Sequence, residues 1–194
     1  MPIANNLTVA AFSILFAVSA AHAADNELYD APPADDAAFM RWIEHDTAPE
    51  ILGVSGLGNL GDVFHPVSAA LTDGAVAGVF YTVARRTDGK IVVIEEPPRA
   101  DRTKVLLTLL NLTDEPVRLV LLENGIDVIK PTEINDAGAR AVNPVSASLA
   151  VVTASGAQLG SFDVQLRRGQ NVTFVARPEG TQLIENSFGP NIEG

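Results

Sequence analysis

The side chains that could perform acid–base or nucleophilic chemistry are few and scattered in this sequence. Beyond the apolar N-terminal segment only His45 and His65 could act as a base or a ligand, and each lies near a proline-containing turn. Gly53-Val54-Ser55-Gly56-Leu57 has leucine where a G-x-S-x-G nucleophile elbow needs its last glycine. Gly61-Asp62-Val63 has valine where a G-D-S block needs serine. We therefore predict no catalytic residue.

A complete G-x-G-x-x-G motif runs from Gly56 to Gly61. A dinucleotide site needs a helix that begins at the third glycine, so that the N-terminus of the helix faces a pyrophosphate. Pro66 follows five residues later, and no alternation of strands and helices surrounds the motif. We interpret the motif as a glycine-rich loop between strands and predict no bound cofactor.

Acidic and thiol side chains offer no alternative chemistry. The adjacent carboxylates Asp35-Asp36 and Glu95-Glu96 point to opposite sides of an extended chain and cannot share a proton. The other acidic residues lack the spacing of a calcium loop. The chain has no cysteine, which excludes disulfides, a thiolate nucleophile and a cysteine-based zinc site. We predict no metal site.

The net charge of −11 excludes further classes of partner. Nucleic acids and anionic lipid surfaces attract proteins through Lys and Arg, so we expect no binding to nucleic acid and no tight adhesion to an anionic membrane surface. No other long apolar run follows the N-terminal segment, so we expect no insertion into a membrane. Aromatic residues make up 6% of the chain and fall mainly in predicted strands, where core packing is their usual role. Polysaccharide binding therefore remains an alternative rather than the first interpretation.

The first 23 residues have the features of an export signal. Leu7–Ala21 is apolar but, at about 15 residues, shorter than the roughly 20 that span a membrane. Ala21-His22-Ala23 is an A-x-A cleavage site, although the residues before Leu7 include no Lys or Arg. We expect cleavage after Ala23 and a soluble, exported mature chain that begins at Ala24.

The stretch Lys90–Leu112 divides the chain, because two apolar runs flank the charged Pro97-Pro98 break. Proline lacks a backbone N–H and has a fixed φ, so neither a helix nor a central strand passes through it. The charged flanks, Arg99 among them, favour a solvated joint. A loop inside one larger domain is the alternative. The predicted segments are a signal peptide (1–23), an extended lead-in (24–37), an N-terminal β-sandwich (38–95), a linker (96–101), a C-terminal β-sandwich (102–180) and a C-terminal tail (181–194).

Four dipeptides tolerate the positive φ of tight turns and separate β-rich runs: Asp73-Gly74, Asp88-Gly89, Asn124-Gly125 and Ser155-Gly156. Short strands at this spacing predict an all-β protein with two consecutive antiparallel β-sandwich domains joined by a short proline-containing linker. Residues 35–45 stay ambiguous, because Phe39, Trp42 and Ile43 fit a helix and the same stretch also alternates as a strand would.

Several short phrases occur together in a fixed order. They are Glu27-Leu28-Tyr29, Ala38-Phe39-Met40-Arg41, Phe80-Tyr81-Thr82-Val83, Val93-Ile94-Glu95-Glu96-Pro97-Pro98, Asn111-Leu112, Val128-Ile129-Lys130-Pro131 and Ala141-Val142-Asn143-Pro144-Val145. Together they resemble the alginate O-acetylation protein family called AlgF. The resemblance runs from Leu28 to Ala176, is strongest from Lys90 onward, and is weak in the Gly53–Gly61 loop and after Arg177.

The resemblance implies a periplasmic accessory protein without catalytic activity, with two consecutive β-sandwiches and a strand rather than a helix at 38–45. It implies contact with the periplasmic acetyltransferases that place O-acetyl groups on the mannuronate residues of alginate. Leu28, Tyr29 and Arg41 are the partner-binding candidates within its phrases. A polysaccharide-binding module is the alternative, and an acetyl-ester hydrolase or transferase is the second alternative.

Overall fold

The structure is a computed structural model that describes residues 32–55, 62–99, 101, 103–190 and 192. These residues form twelve strands and a short 3₁₀ turn at Ala69–Leu71. The strands are β1 (Ala37–Trp42), β2 (His65–Ser68), β3 (Phe80–Arg85), β4 (Ile91–Glu96), β5 (Val105–Asn111), β6 (Val117–Leu121), β7 (Asp127–Thr132), β8 (Ala137–Val142), β9 (Ser146–Thr153), β10 (Gln158–Gln165), β11 (Asn171–Arg177) and β12 (Gly180–Glu185).

The strands make three four-stranded sheets. The first sheet has the order β2-β1-β3-β4, the middle sheet β12-β11-β5-β8 and the outer sheet β10-β9-β6-β7. Neighbouring strands are antiparallel except for β1 with β3 and β5 with β11, which run parallel. The predicted all-β class with antiparallel sheets is confirmed apart from these two parallel pairs, and the ambiguous stretch 35–45 contains a strand, β1.

The middle sheet is covered on both faces, which explains the continuous apolar run of β5. Every residue of β5 is buried. Because side chains alternate along a strand, Leu107 and Leu109 face the outer sheet and enter the larger apolar core. Leu110 faces the opposite way and packs with Ile94 of β4. A strand between two layers needs apolar residues at successive positions, not at every second one.

The first half of the chain completes its packing across the predicted domain boundary. One face of the first sheet, with Met40 and Trp42 of β1, is covered by the connection from β1 to β2, where Ile51 and Val54 pair through their backbones. The other face packs on the middle sheet. Among the described residues, the sheet that packs against the first sheet is therefore the middle sheet, which belongs to the second half of the chain.

The turn dipeptides form where they were predicted. Gly89, Gly125 and Gly156 have φ values of 85°, 69° and 92° and close the β3–β4, β6–β7 and β9–β10 hairpins. Gly74 also has a positive φ, 94°, but it lies in the connection between β2 and β3, which do not pair because β1 lies between them. Positive φ is accessible to glycine without steric cost.

The prediction of a C-terminal tail from residue 181 is wrong for residues 181–185, which belong to a strand. Gly180–Glu185 forms β12, paired antiparallel with β11. Leu183 packs towards the larger core and Ile184 towards the first sheet, so the strand lacks the apolar–polar alternation that would have revealed it. The chain then returns to the first half, where Phe188 forms a parallel bridge with Phe64.

Candidate functional site

A buried ionic cluster joins the first sheet to the middle sheet. Arg41 of β1 is fully buried and donates from Nη2 to Glu96 Oε1 at 2.7 Å. Its Nε donates to Thr82 Oγ1 at 2.7 Å, and its Nη1 donates to Asn186 Oδ1 at 2.7 Å, just beyond β12. A further bond runs from Nη2 to Thr173 Oγ1 of β11 at 3.1 Å. One side chain thus ties three strands of the first sheet to the second half of the chain.

The prediction that Arg41 contacts a partner is corrected by this burial. Its side chain has no exposed surface and its three nitrogens bond within the chain. Burial lowers the pKa of the Arg41 guanidinium, and the neighbouring Glu96 carboxylate opposes that shift. The ion pair with Glu96, at 2.7 Å, favours the charged form of the Arg41 guanidinium. Leu28 and Tyr29, the other two partner-binding candidates, lie outside the described residues.

A second polar contact crosses the same junction at the far ends of β1 and β3. Arg177, the last residue of β11, donates from Nη1 to the carbonyl oxygen of Arg85 at 2.8 Å. Its Nη2 forms an ion pair with Glu44. Both partners are mostly buried, with side chains 16% and 24% exposed, so the pair is less screened than a surface salt bridge. Arg86, in the β3–β4 turn, adds bonds to the carbonyl oxygen of Thr113 at 3.2 Å and to Asn135 Oδ1 at 2.8 Å. Polar contacts therefore hold the two halves together at several separated points.

Aromatic rings from distant segments gather at the end of the junction next to the prolines. Phe39 and Phe80 stack with their ring centroids 4.5 Å apart, and Phe64 meets Phe80 edge-on at 5.1 Å. Phe188 meets Phe39 edge-on at 5.7 Å. The guanidinium carbon of Arg99 lies 4.2 Å from the Phe80 centroid and 4.7 Å from that of Phe64. These cation–π contacts hold the Pro97–Arg99 segment against the first sheet.

Beneath this segment lies a cleft of about 800 Å³, open to solvent, which we call the junction cleft. Pro97 and Pro98 line it beside Phe39, Phe80 and Phe188, and the middle sheet contributes Leu106, Ala139 and Ala141. Its cationic residues are Arg99, Lys104 and Arg140, and Asp101 also lines it. The cleft thus lies where the two halves meet, which is a common position for ligand sites.

Arg99 is the least satisfied charged group in this cleft. Its side chain is 10% exposed, and its Nη2 lies 3.4 Å from Glu96 Oε2, at the long limit of a hydrogen bond. Its Nε and Nη1 are buried and have no hydrogen-bond partner among the described residues. Burial lowers the pKa of Arg99 and the positive charge of Arg41 adds to the lowering, while Glu96 opposes it. Buried donors without a partner are costly, so a bound acceptor would stabilise this side chain.

The two histidines considered as bases lie apart from each other. His65 is 2% exposed, and its Nδ1 lies 3.0 Å from the carbonyl oxygen of Pro190, to which it donates when it carries the proton. Gly189 lies against the same ring, since an added Cβ would be 2.2 Å from its Cε1. His45 is exposed in the loop after β1. The described residues include no cluster of three potential metal ligands, and the G-x-G-x-x-G motif lies outside them.

Sequence reasoning missed Arg99 and Phe188 as site residues. Arg99 was interpreted as part of a solvated joint, because charged neighbours surround it in the sequence. Its burial depends on rings contributed by β1, β3 and the segment after β12, so no local pattern reveals it. The one usable signal was the Pro97-Pro98 pair, which restricts the path of the backbone just before Arg99.

By its fold and its site, this is an all-β protein of three packed sheets. Buried ionic contacts join its two halves, and an open cleft lies at the junction. Within the described residues, no helix is long and apolar enough to cross a membrane. Residues 74–173, about half of the chain, match the family model described as "Alginate O-acetyl transferase AlgF". The chain belongs to the AlgF family, and the resemblance seen in its sequence is confirmed.

Relatives of this chain include proteins named alginate biosynthesis protein AlgF. The one from Pseudomonas putida is 26% identical over 200 residues, covering 93% of this chain and 92% of the relative. That from Azotobacter vinelandii is 26% identical over 179 residues, covering 83% and 82%. A solved structure of the C-terminal domain of AlgF from P. aeruginosa has 24% identity and a TM-score of 0.37, covering 43% of this chain and 96% of that domain.

Proposed function

We propose that this chain is a non-catalytic periplasmic accessory protein of alginate O-acetylation, which acts through protein–protein contacts with the acetyltransferases of that system. Membership of the AlgF family carries the link to alginate O-acetylation, because the description of the family model names that reaction. Relatives that match almost the whole chain are named for alginate biosynthesis. The A-x-A site at Ala21-His22-Ala23 supports export to the periplasm.

The arrangement of the described histidines supports contact rather than acetyl transfer. Covalent acetyl transfer needs a nucleophile within hydrogen-bond reach of a base, and the base must itself be oriented by a third group. His65 points its Nδ1 at the carbonyl oxygen of Pro190 and is almost completely buried. His45 is exposed in a loop. A contact role requires none of this chemistry.

The junction itself supports the same role. The bonds of Arg41 and Arg177 fix the first sheet relative to the middle sheet, so both halves present one defined surface to a partner. A chain with a net charge of −11 is also repelled by a polyuronate at long range. An accessory protein that works beside such a polymer gains from not adhering to it, whereas a protein partner can offer a basic or apolar face.

The test combines a binding assay with an activity assay on the mature chain, whose N-terminus is first checked at Ala24 by intact mass. We expect co-purification with the periplasmic acetyltransferases of the same strain at moderate salt. We expect no hydrolysis of an acetyl ester, and no acetyl transfer to mannuronate oligomers, above the rate in buffer. Turnover that one Ser→Ala change abolishes would contradict the proposal, and so would micromolar affinity for mannuronate oligomers with no protein partner recovered.

A further inference from the structure

We propose that the junction cleft binds a carboxylate side chain of a protein partner, with Arg99 as its principal anchor and Lys104 and Arg140 at the same cleft. This inference rests on the proposed function, because it assigns the surface by which the accessory protein contacts its partner. It also states the chemistry of that partner: an acidic side chain flanked by apolar ones.

The bonding of Arg99 is the first observation that carries the inference. A guanidinium has five N–H donors in a planar fork that matches a carboxylate. In Arg99 the Nε and Nη1 atoms are buried without a partner among the described residues, and Nη2 reaches Glu96 only at 3.4 Å. Glu96 Oε1 is already bound by Arg41 and by Thr82 Oγ1, at 2.7 and 2.5 Å. The Nε and Nη1 donors of Arg99 therefore lack an acceptor among the described residues, and the side chain lines an open cleft.

The local charge is the second observation. Arg99, Lys104 and Arg140 line the cleft in a chain whose net charge is strongly negative. The Asp101 carboxylate, which also lines it, accepts from the backbone N and the Oγ1 of Thr103 at 2.9 and 2.6 Å. Lys104 Nζ donates to Asn143 Oδ1 at 2.8 Å. An ammonium group has three N–H donors, so this bond leaves two for a ligand. The cleft thus offers a positive site that the described anions leave unfilled.

The lining favours a protein over a sugar polymer. Phe39, Phe188, Leu106 and Ala139 make much of the wall apolar, and a sugar would bring hydroxyl groups that these side chains cannot satisfy. Phe188 is 53% exposed, which leaves a large apolar surface open at the cleft. Protein interfaces are anchored by aromatic residues and arginine in such settings. A polyuronate, by contrast, brings a charge on every unit to a chain of −11.

The experiment compares matched charge-removing variants of the mature full chain, with calorimetry against the acetyltransferase that the wild type binds. Arg99→Gln removes the charge and leaves a shorter polar side chain, and we expect about 30-fold weaker binding, as for loss of one member of a buried charge pair. Arg99→Lys should recover part of the affinity. The control is Lys90→Gln, which removes one charge from the β3–β4 hairpin, where the side chain is 78% exposed, and should bind as the wild type does.

A second measurement needs no variant and so does not depend on the folding of Arg99→Gln. The Arg99 Nε–H resonance of the wild-type protein is followed while acetyl-Leu-Asp-Leu-amide is added, with acetyl-Leu-Asn-Leu-amide as the neutral control. We expect the aspartate peptide, and not the asparagine peptide, to shift that resonance. Equal response to both peptides would overturn the inference, and so would a shift produced by mannuronate trimers but not by the peptide.

The outcomes separate this inference from the proposed function. If the acetyltransferase binds the wild type and Arg99→Gln equally well, the carboxylate site is wrong while the accessory role stands. If the acetyltransferase does not bind the wild type, the proposed function fails and this inference fails with it. Loss of binding in Lys90→Gln as well as Arg99→Gln would show a dependence on overall charge and would overturn the assignment to the cleft.

Discussion

The two faces of the middle sheet meet their neighbours by different chemistry. Towards the outer sheet, Leu109 and Phe174 enter a core made of apolar side chains. Towards the first sheet, apolar contacts surround a fully buried charged group, Arg41, bonded to Glu96 and to Thr173. Apolar burial is non-directional, whereas hydrogen bonds to a guanidinium fix distance and angle. The interface with the outer sheet therefore supplies cohesion, and the interface with the first sheet also determines how the two halves are oriented.

The largest effect is expected when the charged interface loses one member. Arg41→Met leaves the Glu96 carboxylate buried without its ion-pair partner in β1, and such changes lower the free energy of unfolding by about 3–5 kcal/mol. Urea denaturation followed by circular dichroism measures it. In the double variant Arg41→Met/Glu96→Gln the unpaired carboxylate is gone, but Arg99 loses its salt bridge to Glu96, so we expect only part of the loss to be recovered. Additive losses in the double variant would show that the pair is not coupled.

The apolar interface should respond to a cavity instead. Leu109→Ala removes a fully buried side chain from the core between the middle and outer sheets and should cost about 3 kcal/mol. Trp42, the single tryptophan, lies in the first half and reports on that half by its fluorescence. Because buried contacts couple the halves, we expect tryptophan fluorescence and circular dichroism to show the same midpoint. A wild-type-like fluorescence midpoint in Leu109→Ala would show that the halves unfold independently.

A smaller effect is expected at the far end of the junction. Arg177→Met removes the ion pair with Glu44 and the bond to the Arg85 carbonyl oxygen. Since these groups are partly exposed, we expect a loss of about 1 kcal/mol, less than for a buried charge. Thermal unfolding measures it, and the matched control is Arg168→Met, which changes an exposed cation in the turn between β10 and β11. A loss as large as that of Arg41→Met would overturn the ranking of the two contacts.

The smallest effect is a dependence on pH at the start of β1. The Asp36 carboxylate accepts from Ser68 Oγ at 2.6 Å and from the backbone N of Ala70 at 3.2 Å, and these bonds lower its pKa. Because this pKa is lower in the folded protein than in the unfolded chain, the ionised carboxylate stabilises the fold above the ordinary pKa of about 3.9. That stabilisation is lost as the pH falls through the folded-state pKa. We expect the melting temperature of Asp36→Asn to lie below that of the wild type at pH 6 and to approach it towards pH 3. A constant difference would contradict this assignment.

The hairpins of this fold could be predicted because their signals are local. Asp88-Gly89 and Asn124-Gly125 specify their turns within two residues, and the flanking runs have β-propensity. β12 could not be predicted in the same way, since Leu183 and Ile184 serve two different cores and break the alternation. The strand β8 likewise lacks a pattern, because it is only partly buried along its length.

The candidate site was harder to predict than the fold because it is assembled from distant segments. Arg41 lies in a phrase that resembles the family. An arginine within a short strand is usually exposed, but here the middle sheet covers the face of β1 that carries Arg41. Arg99 was taken as solvated because charged neighbours surround it in the sequence. What the sequence does carry is the family resemblance and the Pro97-Pro98 break, which marks the point where the cleft forms.

The most direct test of contact rather than catalysis is the acetyl content of alginate from the native strain, measured by proton NMR. A strain lacking this protein should secrete alginate with reduced acetylation, and the wild-type protein should restore it. The account predicts that His45→Ala, which removes the exposed candidate base, restores acetylation fully, whereas Arg99→Gln at equal protein level does not. Restoration by Arg99→Gln together with failure of His45→Ala would contradict the account.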